Sequence, residues 1–464
     1  MRNLTSKALW IFFGDGGAKL FGFLTTIYLA RTLGATQFGY ITIAISVLGI
    51  TAWFCDLGIK TLATRTIAGT KPGQRDPSRF FWLKITLSSA VIVFVGLIIW
   101  FVMANQPQLR SLILLFILSL LPQSLNIDWY FKGVQKFQWV TLASWTQGAI
   151  YLTGLIIIVS ADDLLAVPVI YSLSVFAGAL VTICSYSDQI SLIKRPDFSL
   201  WKLDIKSGFY LGIGHFFAQT VILIPPLVIG YFFTELQVGY YGVALKLILA
   251  AMLADHVINT LLLPNLTHLW QNERKNVQAQ LTVISRWVLF IGASAALFLA
   301  HSSGWLIYML FGDEYMPAVS LLIILSIILP VTFLNSVYTF SLISFGKDRD
   351  FLISTGIGAL GAVALIIASG FAGQIEIVVA SVIVAEIWIT LNMFLRFRKS
   401  VQLQLGRYLF GITLIFTLLL AAGLYVQGSL MAAFISPLIL GLLLYIFGLI
   451  GTDDLNWLKR RITR

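Results

Sequence analysis

Charged residues are scarce in this chain, and their scarcity excludes an ordinary soluble domain. Only 11% of the 464 residues are charged, whereas about 25% would be charged in a soluble protein. Hydrophobic residues make up 58%, and the mean hydropathy is +0.90. Because a helix needs ~20 apolar residues to cross a bilayer, the chain can hold about a dozen or more crossings. The composition therefore predicts an all-α, polytopic integral membrane protein.

Other features that would define a function class are missing as well. The two cysteines, Cys55 and Cys184, lie in or beside apolar runs, so a structural disulfide is not expected. No GxxxxGK[ST] sequence occurs to cradle a phosphate, which excludes a pump with a nucleotide-binding loop of its own. The histidines do not have the spacing of metal ligands, and neither a metal nor a cofactor is expected. A transport cycle would draw its energy from an ion gradient, the substrate gradient or a partner.

Apolar runs separated by charge, proline or glycine predict about fourteen transmembrane helices. Lys and Arg concentrate in the loops on one side, and the loops on the other side hold only Arg31 and Arg110. By the positive-inside rule, both termini are predicted to be cytoplasmic. Basic inner loops that face anionic lipids account for most of the +11 net charge, so no nucleic-acid partner is expected. The predicted spans are 8–30, 38–62, 80–103, 111–131, 138–160, 165–186, 208–233, 239–263, 285–306, 319–344, 353–371, 377–395, 409–427 and 430–450.

A sparse internal repeat has an offset of 200 residues. QFGYITIA at 37–44 is followed by QVGYYGVA at 237–244, with Gln, Gly, Tyr and Ala at matching positions. An even number of predicted spans separates the copies, so both have the same orientation in the membrane. The repeat predicts an N-terminal six-helix lobe at 1–200, a pseudo-symmetric six-helix lobe at 201–400, and an additional helix pair with a basic cytoplasmic tail at 401–464. Transporters of this build bind their substrate between the lobes.

Four stretches in chain order carry a family resemblance. They are RTLGATQFGY with the later DLG, DWYFKGVQKF at 128–137, VGYYGVALKL at 238–247, and FGDEYMPAVSLLIILSIILP at 311–330. This series resembles the polysaccharide transporter, or oligosaccharide flippase, family, which includes the O-antigen flippases. The family belongs to the same superfamily as the multidrug extruders and the lipid II flippases.

The resemblance implies a transporter and not an enzyme. Its expected substrate is an O-antigen, capsule or exopolysaccharide repeat unit linked to undecaprenyl pyrophosphate. The protein would move this lipid from the inner to the outer leaflet of a bacterial cytoplasmic (inner) membrane by alternating access. A cation gradient, of H+ or Na+, is the implied energy source. Membrane lipids and, among the polysaccharide assembly proteins, a polymerase are the implied partners.

Ionisable residues inside the spans are functional candidates, because a charge at the bilayer centre costs ~2.5–3.5 kcal/mol. The deeper candidates are Asp15, Lys19, His215, Lys246, Asp255, His256 and Glu386. Asp56, Lys60 and Asp128 lie nearer the predicted cytoplasmic ends and are interpreted as interfacial anchors or loop caps.

The first and seventh spans carry matching polar positions. Asp15 and Lys19 are four residues apart and can pair on a polar stripe that is predicted to face the cavity. His215 and Gln219 occupy the matching positions 200 residues later, and the histidine can change charge near neutral pH. The alternatives are an internal ion pair that locks helices together and a neutral histidine that donates one hydrogen bond. Pro225 and Pro226 are predicted to break or bend the seventh span.

Binding and coupling are assigned to different residues. Lys19 and Lys246, helped by Arg31 at the outer mouth, are predicted to hold the pyrophosphate, although Lys246 could instead snorkel to water. Any of the carboxylates of Asp15, Asp255 and Glu386 could carry a coupling proton if burial raises its pKa. Adjacent residues on a helix differ by about 100°, so Asp255 and His256 cannot both face the cavity axis.

Two alternative functions follow from the same features. A cation-coupled multidrug extruder would have twelve spans and a smaller, more apolar or acidic cavity, whereas about fourteen spans and buried lysines favour an anionic lipid. A membrane polysaccharide polymerase or ligase would need a substantial outer loop to hold glycans, and the predicted outer loops are short. The flippase is therefore the preferred interpretation.

Overall fold

The computed structural model describes residues 2–71, 75–160, 163–187, 192, 194, 198–255, 266, 270, 274–424 and 430–451, and no β-strand occurs among them. The predicted all-α fold class is confirmed. The helices are α1 (Arg2–Asp56), α2 (Ile59–Gly69), α3 (Ser78–Val102), α4 (Pro107–Leu118), α5 (Leu120–Ser124), α6 (Asp128–Gly133), α7 (Phe137–Ile158), α8 (Ala166–Cys184), α9 (Trp201–Phe232), α10 (Glu235–Ala251), α11 (Arg274–Phe311), α12 (Ala318–Ser326), α13 (Ile328–Ser344), α14 (Asp348–Gly370), α15 (Ile375–Phe397), α16 (Gly406–Leu424) and α17 (Leu430–Ile446).

Eleven helices in the described part of the chain are long and apolar enough to cross a membrane. The first two predicted spans are two helical segments that meet within α1 at Gly34, where the backbone leaves the helical region (φ 76°, ψ 172°) and a side chain would be strained. The fourth predicted span is divided between α4 and α5, and α17 has only 17 residues. The chain is thus a multi-pass membrane protein, whereas the count of fourteen spans stays a prediction.

The helix α9 differs from its prediction at the two prolines. Pro225 and Pro226 lie inside α9, which is continuous from Trp201 to Phe232. A break at these prolines is therefore wrong, and a bend there stays a prediction. Two consecutive prolines remove two backbone donors, and in an apolar setting neighbouring elements can satisfy the freed carbonyl groups so that the helix continues.

The described chain divides into two compact units. Unit 1 consists of residues 1–219 and 234–239, and unit 2 consists of residues 220–233 and 240–464. In unit 1, α1 packs against α3, α4 and α7, and α7 packs against α8. A bidentate ion pair joins Arg79 of α3 to the buried Asp204 of α9. The predicted division at residues 200 and 400 stays a prediction.

Unit 2 is built around α11. This 38-residue helix packs against α12, α13, α16 and α17, while α15 packs against α13 and α14. The last two helices, which were predicted to be an added pair, therefore lie on α11. His301 of α11 holds one of them, because its Nδ1 is 2.8 Å from the Oγ of Ser436 in α17.

Within unit 1, two glycines that are 200 residues apart make reciprocal contacts. A Cβ on Gly39 would overlap the carbonyl oxygen of Glu235, and a Cβ on Gly239 would overlap the carbonyl oxygen of Ala35. Ala35 and Glu235 are themselves 200 residues apart. Reciprocal contacts of this kind are the local geometry of a twofold interface. The 200-residue spacing of the sequence repeat thus coincides with a close backbone approach.

The first prediction is that Gly39→Ala and Gly239→Ala each destabilise the protein by about 1–3 kcal/mol, the usual cost of overpacking. Gly22→Ala is the matched control, because a Cβ at this position of α1 would meet nothing within 4 Å. Thermal unfolding in detergent should show lower midpoints for the first two variants only. Equal midpoints for all three variants would contradict the close approach.

Candidate functional site

A buried carboxylate lies in the middle of α15. Glu386 is 6% exposed, and its Oε1 accepts a hydrogen bond of 3.3 Å from the Nδ2 of Asn335 on α13. Both helices belong to unit 2. A charge at this depth is costly unless polar groups compensate it, and the Asn335 amide supplies one such group.

The next residue of α13 reaches a second carboxylate. The hydroxyl of Ser336 donates to the Oδ1 of Asp255 at 2.6 Å. Asp255 ends the apolar segment Glu235–Asp255, and its charge acts on Glu386. Two of the three predicted coupling carboxylates are therefore brought together by adjacent residues, Asn335 and Ser336. We call these four residues the carboxylate cluster.

Two oxygen atoms around the cluster have unused hydrogen-bonding capacity. The Oδ1 of Asn335 and the Oγ1 of Thr390 are buried and have no hydrogen-bond partner among the described residues. Thr332 lies beside Glu386, and Thr390 is one helical turn after it. Carboxylate, amide and hydroxyl oxygens are the ligands of hard cations. The arrangement can thus hold a proton or a small cation.

An apolar cavity of about 440 Å³ lies next to this cluster in unit 2. Thr390 belongs to its wall and so connects the cavity to the helix of Glu386. The cavity is bounded by α11, α13, α15 and α16, together with Ile327. Its lining residues are Leu289, Ala293, Ile327, Pro330, Val331, Leu334, Tyr338, Ile387, Thr390, Leu391, Phe394, Leu409, Ile412, Thr413 and Phe416.

The predicted pyrophosphate ligands are distributed over both units. Lys19 and Arg31 are exposed residues of α1 in unit 1, and Lys246 is a half-buried residue of α10 in unit 2. Their shared role stays a prediction.

The remaining candidates lie on α9 and α1 or outside the described residues. His215 is exposed and Gln219 is half-buried, both on α9. Asp15 lies in α1, but its side chain, and His256 as a whole, are outside the described residues, so the pairing of Asp15 with Lys19 stays a prediction.

Two buried polar residues are not among the candidates predicted from the sequence. Lys84 is 3% exposed on α3, and His301 is 3% exposed on α11. Lys84 is the fifth residue of the predicted span 80–103 and so lies near the end of an apolar run. His301 precedes two serines and a glycine, a cluster of small residues that permits close helix packing. The position of each residue inside a predicted span, 80–103 for Lys84 and 285–306 for His301, is the signal that could have identified it.

The fold and the carboxylate cluster define a class of protein, namely a multi-pass helical membrane protein with ionisable groups buried among its helices. The sequence model of the family described as "Polysaccharide biosynthesis protein" matches residues 4–270, more than half of the chain. The chain belongs to the polysaccharide biosynthesis protein family, which confirms the predicted recognition.

Two curated proteins are similar in sequence. The Putative O-antigen transporter of Escherichia coli (strain K12) is 25% identical over 145 residues, which are 31% of this chain and 35% of that protein. The Probable low-salt glycan biosynthesis flippase Agl15 of Haloferax volcanii is 26% identical over 334 residues, which are 67% and 66% of the two chains. The chain thus spans less than two thirds of the length of either relative.

Two solved structures share the fold. The lipid II flippase MurJ in an inward closed conformation has a TM-score of 0.74 and 16% identity, and the match covers 97% of this chain and 99% of that one. An inward-facing multidrug resistance MATE family transporter of the MOP superfamily has a TM-score of 0.69 and 13% identity, with coverages of 82% and 94%. At these identities the likeness establishes the fold alone.

The second prediction concerns the hydrogen bond of Glu386. Asn335→Ala should lower the free energy of unfolding by about 1–3 kcal/mol, because it removes a donor from a buried carboxylate. Asn392→Ala is the matched control, since the Nδ2 of Asn392 forms an exposed bond to the carbonyl of Trp388. In a Glu386→Gln background, the effect of Asn335→Ala should shrink. Additive effects in thermal unfolding would show that the two side chains do not interact.

Proposed function

We propose that this protein is a flippase for a lipid-linked oligosaccharide. The substrate would be a repeat unit of O-antigen, capsule or exopolysaccharide on undecaprenyl pyrophosphate. It would move from the inner to the outer leaflet of a bacterial cytoplasmic membrane by alternating access. Family membership supports this class, as do the names of the two curated relatives, which are an O-antigen transporter and a glycan biosynthesis flippase.

The observation that carries the proposal is the carboxylate cluster beside an apolar cavity. The cavity lining offers almost no hydrogen-bond partners, so a glycan there would lose bonds to water, whereas an isoprenoid chain would lose none. We assign the cavity to the polyprenyl chain. Asp255 and Glu386 would bind and release the coupling cation, H+ or Na+. Because the charge of one carboxylate acts on the other, binding of one positive charge would change the electrostatic environment of both.

The proposed topology follows the distribution of charge. Lys and Arg concentrate in loops on one side of the predicted spans, and such loops stay in the cytoplasm. Both termini would then be cytoplasmic. Polysaccharide assembly proteins such as a polymerase would receive the substrate on the opposite side. We propose transport without catalysis, since the candidate residues bind and compensate charge.

The third prediction tests transport and coupling together in proteoliposomes. Wild-type protein should move a fluorescent pyrophosphate-linked glycan faster under an imposed proton or sodium gradient. Asp255→Asn and Glu386→Gln should each abolish this gradient-dependent part, because neither amide can bind and release the cation. Asp15→Asn tests the remaining predicted carboxylate in the same assay.

Glu376→Gln is the matched control, since Glu376 is an exposed carboxylate in the first turn of the same helix, α15. It should transport like the wild type. Unchanged transport in all three amide variants would eliminate carboxylate coupling. Extrusion of a cationic dye without movement of the lipid-linked glycan would instead favour the multidrug extruder, whose known examples share the fold.

The fourth prediction concerns the predicted pyrophosphate ligand Lys246. Lys246→Gln should weaken binding of a pyrophosphate-linked glycan at least tenfold, because a charged group entering a low-dielectric interior needs a nearby opposite charge. Binding of the uncharged glycan should not change. Lys206→Gln, at an exposed position of α9, is the control. Equal affinities of wild type and Lys246→Gln for the charged substrate would mean that this lysine only snorkels.

A further inference from the structure

A buried lysine in unit 1 has no assigned role. Lys84 lies on α3, is 3% exposed, and its Nζ has no hydrogen-bond partner among the described residues. An ammonium group buried without a partner is costly, typically by several kcal/mol. A chain that keeps a lysine at such a position gains nothing in stability from it. The position therefore calls for a functional explanation.

The charges that face Lys84 come from three neighbouring elements. They are Asp56 at the end of α1, Lys60 on α2, and Asp128 and Lys132 on α6. Together with Lys84 we call these five residues the lysine cluster. All five belong to unit 1.

One carboxylate of the cluster serves more than one lysine. Asp128 is 2.7 Å from the Nζ of Lys132 and 3.8 Å from the Nζ of Lys60. Asp56 accepts a hydrogen bond of 3.3 Å from the backbone N–H of Lys60, in the first turn of α2. With all five side chains ionised, three lysines and two aspartates leave an excess of one positive charge. An added anion would balance this excess.

The lysines differ in their access to solvent. The side chains of Lys132 and Lys60 are 46% and 34% exposed, whereas that of their common partner Asp128 is 14% exposed. The outer two lysines can therefore swing toward an anion in solvent, and the inner lysine cannot. If both outer lysines leave Asp128, its buried charge needs another partner. Lys84 is close enough to act on Asp128 electrostatically and is available for that role.

We propose that the lysine cluster binds a phosphate-bearing headgroup, with Lys60 and Lys132 contacting the anion and Lys84 replacing them as the counter-ion of Asp128. The inference deepens the proposed function, on which it rests, by adding a site in unit 1 for the charged part of the lipid substrate. A diphosphate suits the cluster better than a phosphodiester, since its additional charge can hold two point-charge lysines at once. Lysine contacts are also less demanding in geometry than a bidentate arginine, which favours release.

The fifth prediction uses inorganic diphosphate as the probe and the full chain in phosphatidylcholine nanodiscs. Isothermal titration should detect binding to the wild type. Lys60→Gln and Lys132→Gln should each raise the Kd at least tenfold, and both variants are expected to fold because both side chains are partly exposed. Lys136→Gln, an exposed lysine four residues after Lys132, should leave the Kd unchanged.

The role of Lys84 is tested through its partner. Lys84→Gln should raise the Kd at least tenfold, because Asp128 would then keep hold of the outer lysines. Adding Asp128→Asn should restore the Kd to within threefold of the wild type, since the outer lysines no longer have a competitor. A purely structural lysine would not be rescued in this way. Thermal unfolding of each variant verifies that it is folded.

The two sources of a phosphate-bearing headgroup are separated by the bilayer composition. The measurement is repeated in nanodiscs that contain phosphatidylglycerol. A Kd for diphosphate equal to that in phosphatidylcholine assigns the site to the carrier lipid, whereas a higher Kd shows that phosphatidylglycerol competes and assigns the site to bilayer phospholipid. No binding by the wild type, or a Lys84→Gln variant with the wild-type Kd, would overturn the inference. Because the readout is binding, its failure is distinguishable from a failure of lipid transport, which the proteoliposome assay measures separately.

Discussion

The interior of a bilayer offers no water to polar groups, and this constraint governs both the fold and the candidate sites. Every backbone donor and acceptor must find a partner inside the protein, which leaves helices as the solution for a chain of this composition. The same constraint makes each ionisable residue inside a helix bundle expensive. The carboxylate cluster of unit 2 meets it with an amide from Asn335 and a hydroxyl from Ser336. In the lysine cluster of unit 1, Asp128 pairs with Lys60 and Lys132, whereas the Nζ of Lys84 has no hydrogen-bond partner among the described residues.

In the proposed function, the sites would divide the work of a lipid carrier by chemistry. Oxygen ligands around Glu386 suit a cation, an apolar cavity that includes Thr390 in its wall suits a hydrocarbon chain, and point-charge lysines around Asp128 suit a phosphate. The glycan itself needs only water-filled space, because its hydroxyls are satisfied by solvent. A substrate with a polar head, a multiply charged linkage and a long apolar tail would use each of these surroundings. A small amphipathic drug would leave the lysine cluster without a ligand.

Local patterns predicted the helices, the membrane environment and the family, because composition and apolar runs act over short stretches of chain. Asp255 and Glu386 were also identifiable, as charges deep within apolar runs. The proximity of these two carboxylates could not be predicted from the sequence. It depends on the packing of α13, whose residues Asn335 and Ser336 contact Glu386 and Asp255 respectively. Lys84 was missed because a lysine near the end of an apolar run usually reaches water. The continuity of α9 through Pro225 and Pro226 was missed because it depends on neighbouring helices.

The central claim is that the protein carries a lipid-linked glycan across the membrane. It is tested most directly in cells depleted of the protein, by measuring which leaflet holds the lipid-linked glycan with a membrane-impermeant reagent that modifies sugars. The account predicts that the glycan accumulates in a protected pool on the inner leaflet and that restoring the protein returns it to the accessible pool. An accessible fraction that is the same with and without the protein, while total lipid-linked glycan is unchanged, would contradict the account.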